Sequence, residues 1–166
     1  MAEETTGGQG EAPKVEVKNA IAQLEAMLDE YMVKKAPFAL PLGLKEFLAT
    51  VAPYLIIIGV VLALPALLVA FGISTAFAPV AMMGGYGYGW GTSMMITLAT
   101  TIVVLVLEVM AVQGLFKRTH AAWRIMFYVS LVQLVGGVLA MNLVGAIIGA
   151  IIGWYILFQM KDMYKN

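Results

Sequence analysis

From about residue 47 to residue 160 the chain consists of long apolar blocks separated by short polar or glycine-rich stretches. Between residues 14 and 35 the pattern is different. Apolar side chains there recur at Val17, Ile21, Leu24, Leu28 and Tyr31, alternating steps of four and three, with Lys18, Gln23, Glu25, Asp29 and Glu30 between them. That spacing predicts an amphipathic helix over 14–35, because positions three and four apart share one helix face. Pro37 ends it. The segment 36–45 places two prolines and a glycine among apolar residues, which suits an irregular linker at headgroup level.

The apolar blocks predict membrane spans at about 47–71, 93–114, 121–140 and 143–160. Roughly 20 apolar residues are needed to cross the hydrocarbon of a bilayer. Residues 121–160 are too many for one crossing and fit two, with the turn around Asn142. Pro65, inside the first span, predicts a kink. The stretch 72–91 is uncharged, holds Gly72 and Pro79, and ends in alternating glycine and aromatic residues; it is expected to be a loop. Residues 1–13, rich in Gly and Glu, are expected to be a flexible tail. Residues 1–10 lack the basic and apolar regions of a signal peptide, so an internal helix is expected to direct insertion.

Composition turns these segments into a class. Apolar residues make up 61% of the 166 and charged residues 12%, against roughly half and a quarter in soluble domains. The basic residues Lys14, Lys18, Lys34, Lys35, Lys45, Lys117, Arg118, Arg124, Lys161 and Lys165 occupy the N-terminal segment, the second connection and the C-terminal tail. The positive-inside rule then places both termini in the cytoplasm. The expected fold is all-α: an integral membrane four-helix bundle over 46–162, preceded by an amphipathic cytoplasmic helix. The expected location is the plasma (cytoplasmic) membrane, crossed several times.

Candidate chemistry is sparse. Zero net charge gives no general attraction to nucleic acid. The chain has no Cys and a single His, His120, so no metal site is expected. No paired carboxylates or nucleophile–base set is present, so neither an enzyme nor a cofactor is expected. Lys117, Arg118 and His120 form a basic loop suited to the interface with anionic lipid. Glu108 lies about six residues inside the second span, where a carboxylate must be neutral, paired or hydrated. Arg124, about one turn nearer the water on the following helix, is the expected partner. The competing use of Glu108 is proton or cation transport. Gly145, Gly149 and Gly153 make a small-residue face on the fourth span, suited to close helix packing within the chain or with another. The expected function is a non-catalytic accessory, scaffold or assembly subunit, with the lipid bilayer and either a second copy or another membrane protein as partners. The alternative is an oligomeric transporter or channel for ions or small solutes.

Overall fold

The computed structural model describes residues 12–83 and 87–165; for residues 12, 13, 73–75, 77, 78, 80–83 and 87–90 it describes the backbone alone. Among the described residues the protein is all-helical, 88% helix with no strand. It divides into two compact units, Met1–Phe38 and Ala39–Asn166. Most of the predicted tail, residues 1–11, lies outside the described residues.

The first unit contains α1, Ala12–Asp29, which continues into one π-helical turn, Glu30–Lys34. The turn closes where the Lys35 N–H donates to the Glu30 carbonyl at 2.9 Å. The Lys35 ammonium also meets the Glu30 carboxylate at 2.8 Å and lies 4.8 Å from the centre of the Tyr31 ring. These contacts hold the helix end just before Pro37.

The second unit holds α2 (Leu42–Met83), α3 (Gly87–Phe116), α4 (His120–Leu139) and α5 (Leu143–Gln159), followed by a 3-10 turn, Lys161–Met163. Each helix packs on the next in sequence. Three segments are long and apolar enough to cross a membrane: Leu42–Gly72, Gly91–Phe116 and His120–Leu139. The fourth helix, α5, is apolar but only 17 residues long.

The stretch expected to be a loop is mostly helix. α2 continues past Gly72 and through Pro79 to Met83, and α3 already begins at Gly87. Of that stretch, only residues 84–86 lie outside the described residues. The reason lies in composition. Residues 76–83 are rich in Ala and Met, which favour helix strongly enough to carry it past one proline. Pro53 and Pro65 are likewise taken up within α2. Each lacks an N–H and leaves one carbonyl in the preceding turn without its helical partner.

Both tight connections close with the same pair of hydrogen bonds. Thr119 N–H donates to Gly114 O at 2.9 Å and Arg118 N–H to Leu115 O at 3.0 Å; Asn142 N–H donates to Gly137 O at 2.8 Å and Met141 N–H to Val138 O at 3.1 Å. This pairing is a Schellman closure, whose left-handed position is usually glycine. Here Arg118 (φ 52°) and Met141 (φ 62°) occupy it, at a cost on the order of 1–2 kcal/mol each.

Large apolar side chains cover the outside of α2–α5: Leu62 is 65% exposed, Leu68 75% and Val144 72%. In water such a surface would drive aggregation, whereas hydrocarbon solvates it. The fully buried large side chains, Trp123, Phe127, Phe158, Tyr164 and Pro53, belong to the charged ends of the helices.

Candidate functional site: a cavity lined by four helices

The helix pairs have clear registers. Along the α3–α4 seam, a Cβ on Gly114 would lie 2.7 Å from the Ala122 Cβ, and one on Gly136 would collide with Thr100. Further along the same seam, the Ser93 hydroxyl donates to the Ala140 carbonyl at 2.6 Å. Glycine is required at these two positions because the opposing helix fills the space a side chain needs. The α4–α5 pair runs antiparallel in the same way. Gly137 faces Ala146, the Trp154 Nε1–H donates to the Ser130 hydroxyl at 2.7 Å, and the Trp123 Nε1–H donates to the Leu157 carbonyl at 2.8 Å. On the other side, α2 meets the end of α3 through an edge-to-face pair, Tyr54 with Phe116 at 5.1 Å. The Arg118 guanidinium adds a hydrogen bond of 2.9 Å to the Thr50 hydroxyl.

These contacts gather the beginning of α2, the end of α3, the beginning of α4 and the end of α5 at one end of the unit. Trp123, Phe127 and Phe158 pack there edge-to-face and stacked, with ring centres 5.2–6.1 Å apart. His120 stacks on Trp123 at 5.6 Å, and the Lys161 ammonium lies 4.8 Å from the centre of the Trp123 ring. Gln159, buried at 2% exposure, accepts the Leu40 N–H at 2.6 Å and so ties the lead-in to α2 to the end of α5.

The same end holds a partly open cavity of about 280 Å³. Ala52, Leu55 and Ile56 of α2 form one wall; Gly153, Ile156, Leu157 and Met160 form another; Leu115, Trp123, Met126 and Tyr164 complete it. Nearly all of the lining is apolar. The Tyr164 hydroxyl is buried and has no hydrogen-bond partner among the described residues. Burial pushes this phenol above its ordinary range, and the Arg118 charge pulls it partly back.

Glu108 sits seven residues before Leu115 on α3, and Gln133 seven residues after Met126 on α4, so each shares the face of a cavity-lining residue. Gly149 shares the face of Gly153 in the same sense. Thr97 and Thr101 flank this line on α3, but each hydroxyl donates to the carbonyl four residues back, at 2.9 and 2.8 Å. Their hydrogen-bonding capacity is largely spent on their own helix.

The sequence-derived candidates distribute as follows. Glu108 is half-buried on α3, and Arg124 is exposed on α4, next to the buried Trp123; no ion pair joins them. By the α3–α4 register, Glu108 stands level with Tyr128, about one turn beyond Arg124. Gly149 and Gly153 are exposed with open space where a Cβ would stand, whereas Gly145 faces the side chain of its own helix cap, Asn142. Lys117, Arg118 and His120 all lie at the α3–α4 turn. Sequence reasoning did not find the close-packing roles of Gly114, Gly136 and Gly137, or the buried Gln159. The adjacent glycines 136 and 137 were a visible signal, since α4 presents one to α3 and the other to α5.

No protein family, no curated protein and no solved structure matches the chain. Its class therefore rests on the fold: an all-helical membrane protein. Its function is to be sought in the open face of α5 and the cavity at the charged end.

Proposed function

We propose that the chain is a small non-catalytic membrane subunit, an accessory or scaffold that assembles laterally through the small-residue face of α5. The observation that carries this reading is the open face at Gly149 and Gly153. A smooth small-residue face on an apolar helix lets another helix backbone approach closely. The partner is a transmembrane helix of a second copy or of another membrane protein.

In this reading α5 is a fourth crossing. Its 17 residues give a length of roughly 25 Å, near the lower limit for a span. Its contacts follow α4 from Ala146 at Gly137 to Leu157 at Trp123, which supports α5 crossing wherever α4 does. Four crossings put Lys45, Lys117, Arg118, Arg124, Lys161 and Lys165 at one side, and the positive-inside rule makes that side cytoplasmic. We place these crossings in the plasma membrane, with α1 in the cytoplasm. The chain has no Cys, so single cysteines at Asn142 and Lys165 report the orientation directly. An impermeant thiol reagent should label the first from outside and the second only after permeabilisation.

Native mass spectrometry and lateral crosslinking of Gly149→Leu test the assembly. Loss of the partner or of the second copy, with the helices retained, supports the reading. An assembly unchanged by Gly149→Leu sinks it.

One observation favours a second reading. Glu108, half-buried on α3, and Gln133, exposed on α4, are polar groups within the apolar helices and could serve an ion or proton path. The back-bonded Thr97 and Thr101 leave that path thinly lined. If transport is the function, Glu108→Gln abolishes flux while the assembly survives.

A further inference from the structure

The pocket at the charged end is open on one side and lined by residues of all four helices of the unit. Its volume of about 280 Å³ is far beyond the roughly 10–15 Å³ that one water needs. Its walls are aliphatic and aromatic, so water gains few hydrogen bonds inside. In a membrane the abundant filler of matching chemistry is a lipid acyl chain.

Two features add a headgroup to that chain. The first is the Tyr164 hydroxyl. Tyr164 is 1% exposed and lines the cavity, and its hydroxyl has no partner among the described residues. A buried hydroxyl without a partner costs about 1–3 kcal/mol, and an oxygen acceptor on a ligand removes that cost. The second is Arg118. It holds a left-handed backbone, φ 52°, at a position where glycine would sit without strain. Its guanidinium bonds one neutral hydroxyl, that of Thr50, at 2.9 Å, and its charge acts on Tyr164. A guanidinium also has further N–H donors, in a fork that matches phosphate. Lys161, stacked over Trp123 at 4.8 Å, adds positive charge at the same end.

We propose that this cavity is a binding site for one anionic phospholipid, with an acyl chain between α2 and α5 and the phosphate held by Arg118 and the Tyr164 hydroxyl. The site is independent of the lateral assembly face: it depends on the helix ends, and Gly153 alone belongs to both. The neighbouring anionic leaflet supplies the ligand, and occupancy fastens α2 to α5 where the two helices otherwise meet little.

The test is lipid retention by the detergent-solubilised full chain, read by native mass spectrometry after incubation with vesicles of equal phosphatidylglycerol and phosphatidylcholine. The wild type should keep one phosphatidylglycerol in preference to phosphatidylcholine. Tyr164→Phe, which keeps the ring, should weaken that retention about tenfold, the equivalent of one hydrogen bond to a charged group. Arg118→Gly removes the charge while suiting the backbone, so the fold survives and the preference between the two lipids should vanish. Gly153→Leu fills the cavity from an exposed position and should abolish retention of both lipids. A second readout avoids detergent: in vesicles of brominated phosphatidylglycerol, the fluorescence of Trp123, isolated by comparison with Trp123→Phe, should be quenched, and Gly153→Leu should relieve the quenching. Equal retention of the two lipids by the wild type, or retention and quenching unchanged by Gly153→Leu, would overturn the proposal.

Discussion

The α3–α4 seam and the open face of α5 are both built with glycine, and they use it in opposite ways. At Gly114 and Gly136 the missing side chain is replaced by an atom of the opposing helix. At Gly149 and Gly153 nothing replaces it. The first arrangement is finished packing inside the chain. The second leaves an unfilled surface on a helix whose other face, through Ala146, Ala150, Trp154 and Leu157, is already engaged by α4 or turned toward it. A small-residue motif therefore does not identify its partner. The neighbouring helix decides whether the motif closes the fold or remains available.

The sharpest way to break this comparison is to add one methyl group to each surface. Gly136→Ala drives a Cβ into Thr100, and overpacking of this kind should destabilise by about 1–3 kcal/mol. Reversible unfolding in mixed micelles measures it. A neutral Gly136→Ala would mean that the seam is looser than its contacts state.

The next effect concerns polar contacts between the same helices. Ser130→Ala leaves the Trp154 Nε1–H without its 2.7 Å acceptor and should cost about 1 kcal/mol, somewhat more if the indole remains buried. The same unfolding experiment reads it, and Trp154→Phe combined with Ser130→Ala should recover part of the loss. Absence of any such recovery would show that the two residues act separately.

Smaller still is the matching change on α5. Gly149→Ala meets open space and should alter the stability of the isolated chain by less than about 0.5 kcal/mol in either direction. A loss comparable to that of Gly136→Ala would erase the contrast between the surfaces. Weakest of all is the coupling between Glu108 and Arg124. No ion pair joins them, so a double-mutant cycle with Glu108→Gln and Arg124→Gln should return an interaction energy within about 0.5 kcal/mol of zero. A coupling above about 1 kcal/mol would restore the clamp between α3 and α4.

Much of the architecture was legible before any coordinate. The apolar blocks, the hairpin at Asn142 and the clustering of Lys and Arg at the helix ends follow from hydropathy and charge along the chain, which respond to the membrane as a solvent. Where local preferences competed, the reading failed. Gly72 and Pro79 suggested a loop, but the surrounding Ala and Met residues carry α2 through to Met83. A proline removes one hydrogen bond, and its neighbours decide whether the helix survives that loss.

The site was less legible, for a physical reason. Sequence places Glu108, Arg124 and the three glycines on their helices, but whether two groups meet depends on the register and rotation between helices. The register keeps Arg124 one turn from Glu108, as the sequence suggested, yet Glu108 is half-buried, Arg124 is exposed and no ion pair joins them. It also assembles the cavity from Ala52, Leu115, Trp123, Gly153 and Tyr164, residues scattered over more than a hundred positions and sharing no motif. The sequence by itself determined an all-helical chain with apolar helices of membrane-spanning length, because solvent preference is a property of each segment. Only the tertiary structure decided which glycines are filled, which charges remain apart and where a cavity opens, because those are properties of pairs of surfaces.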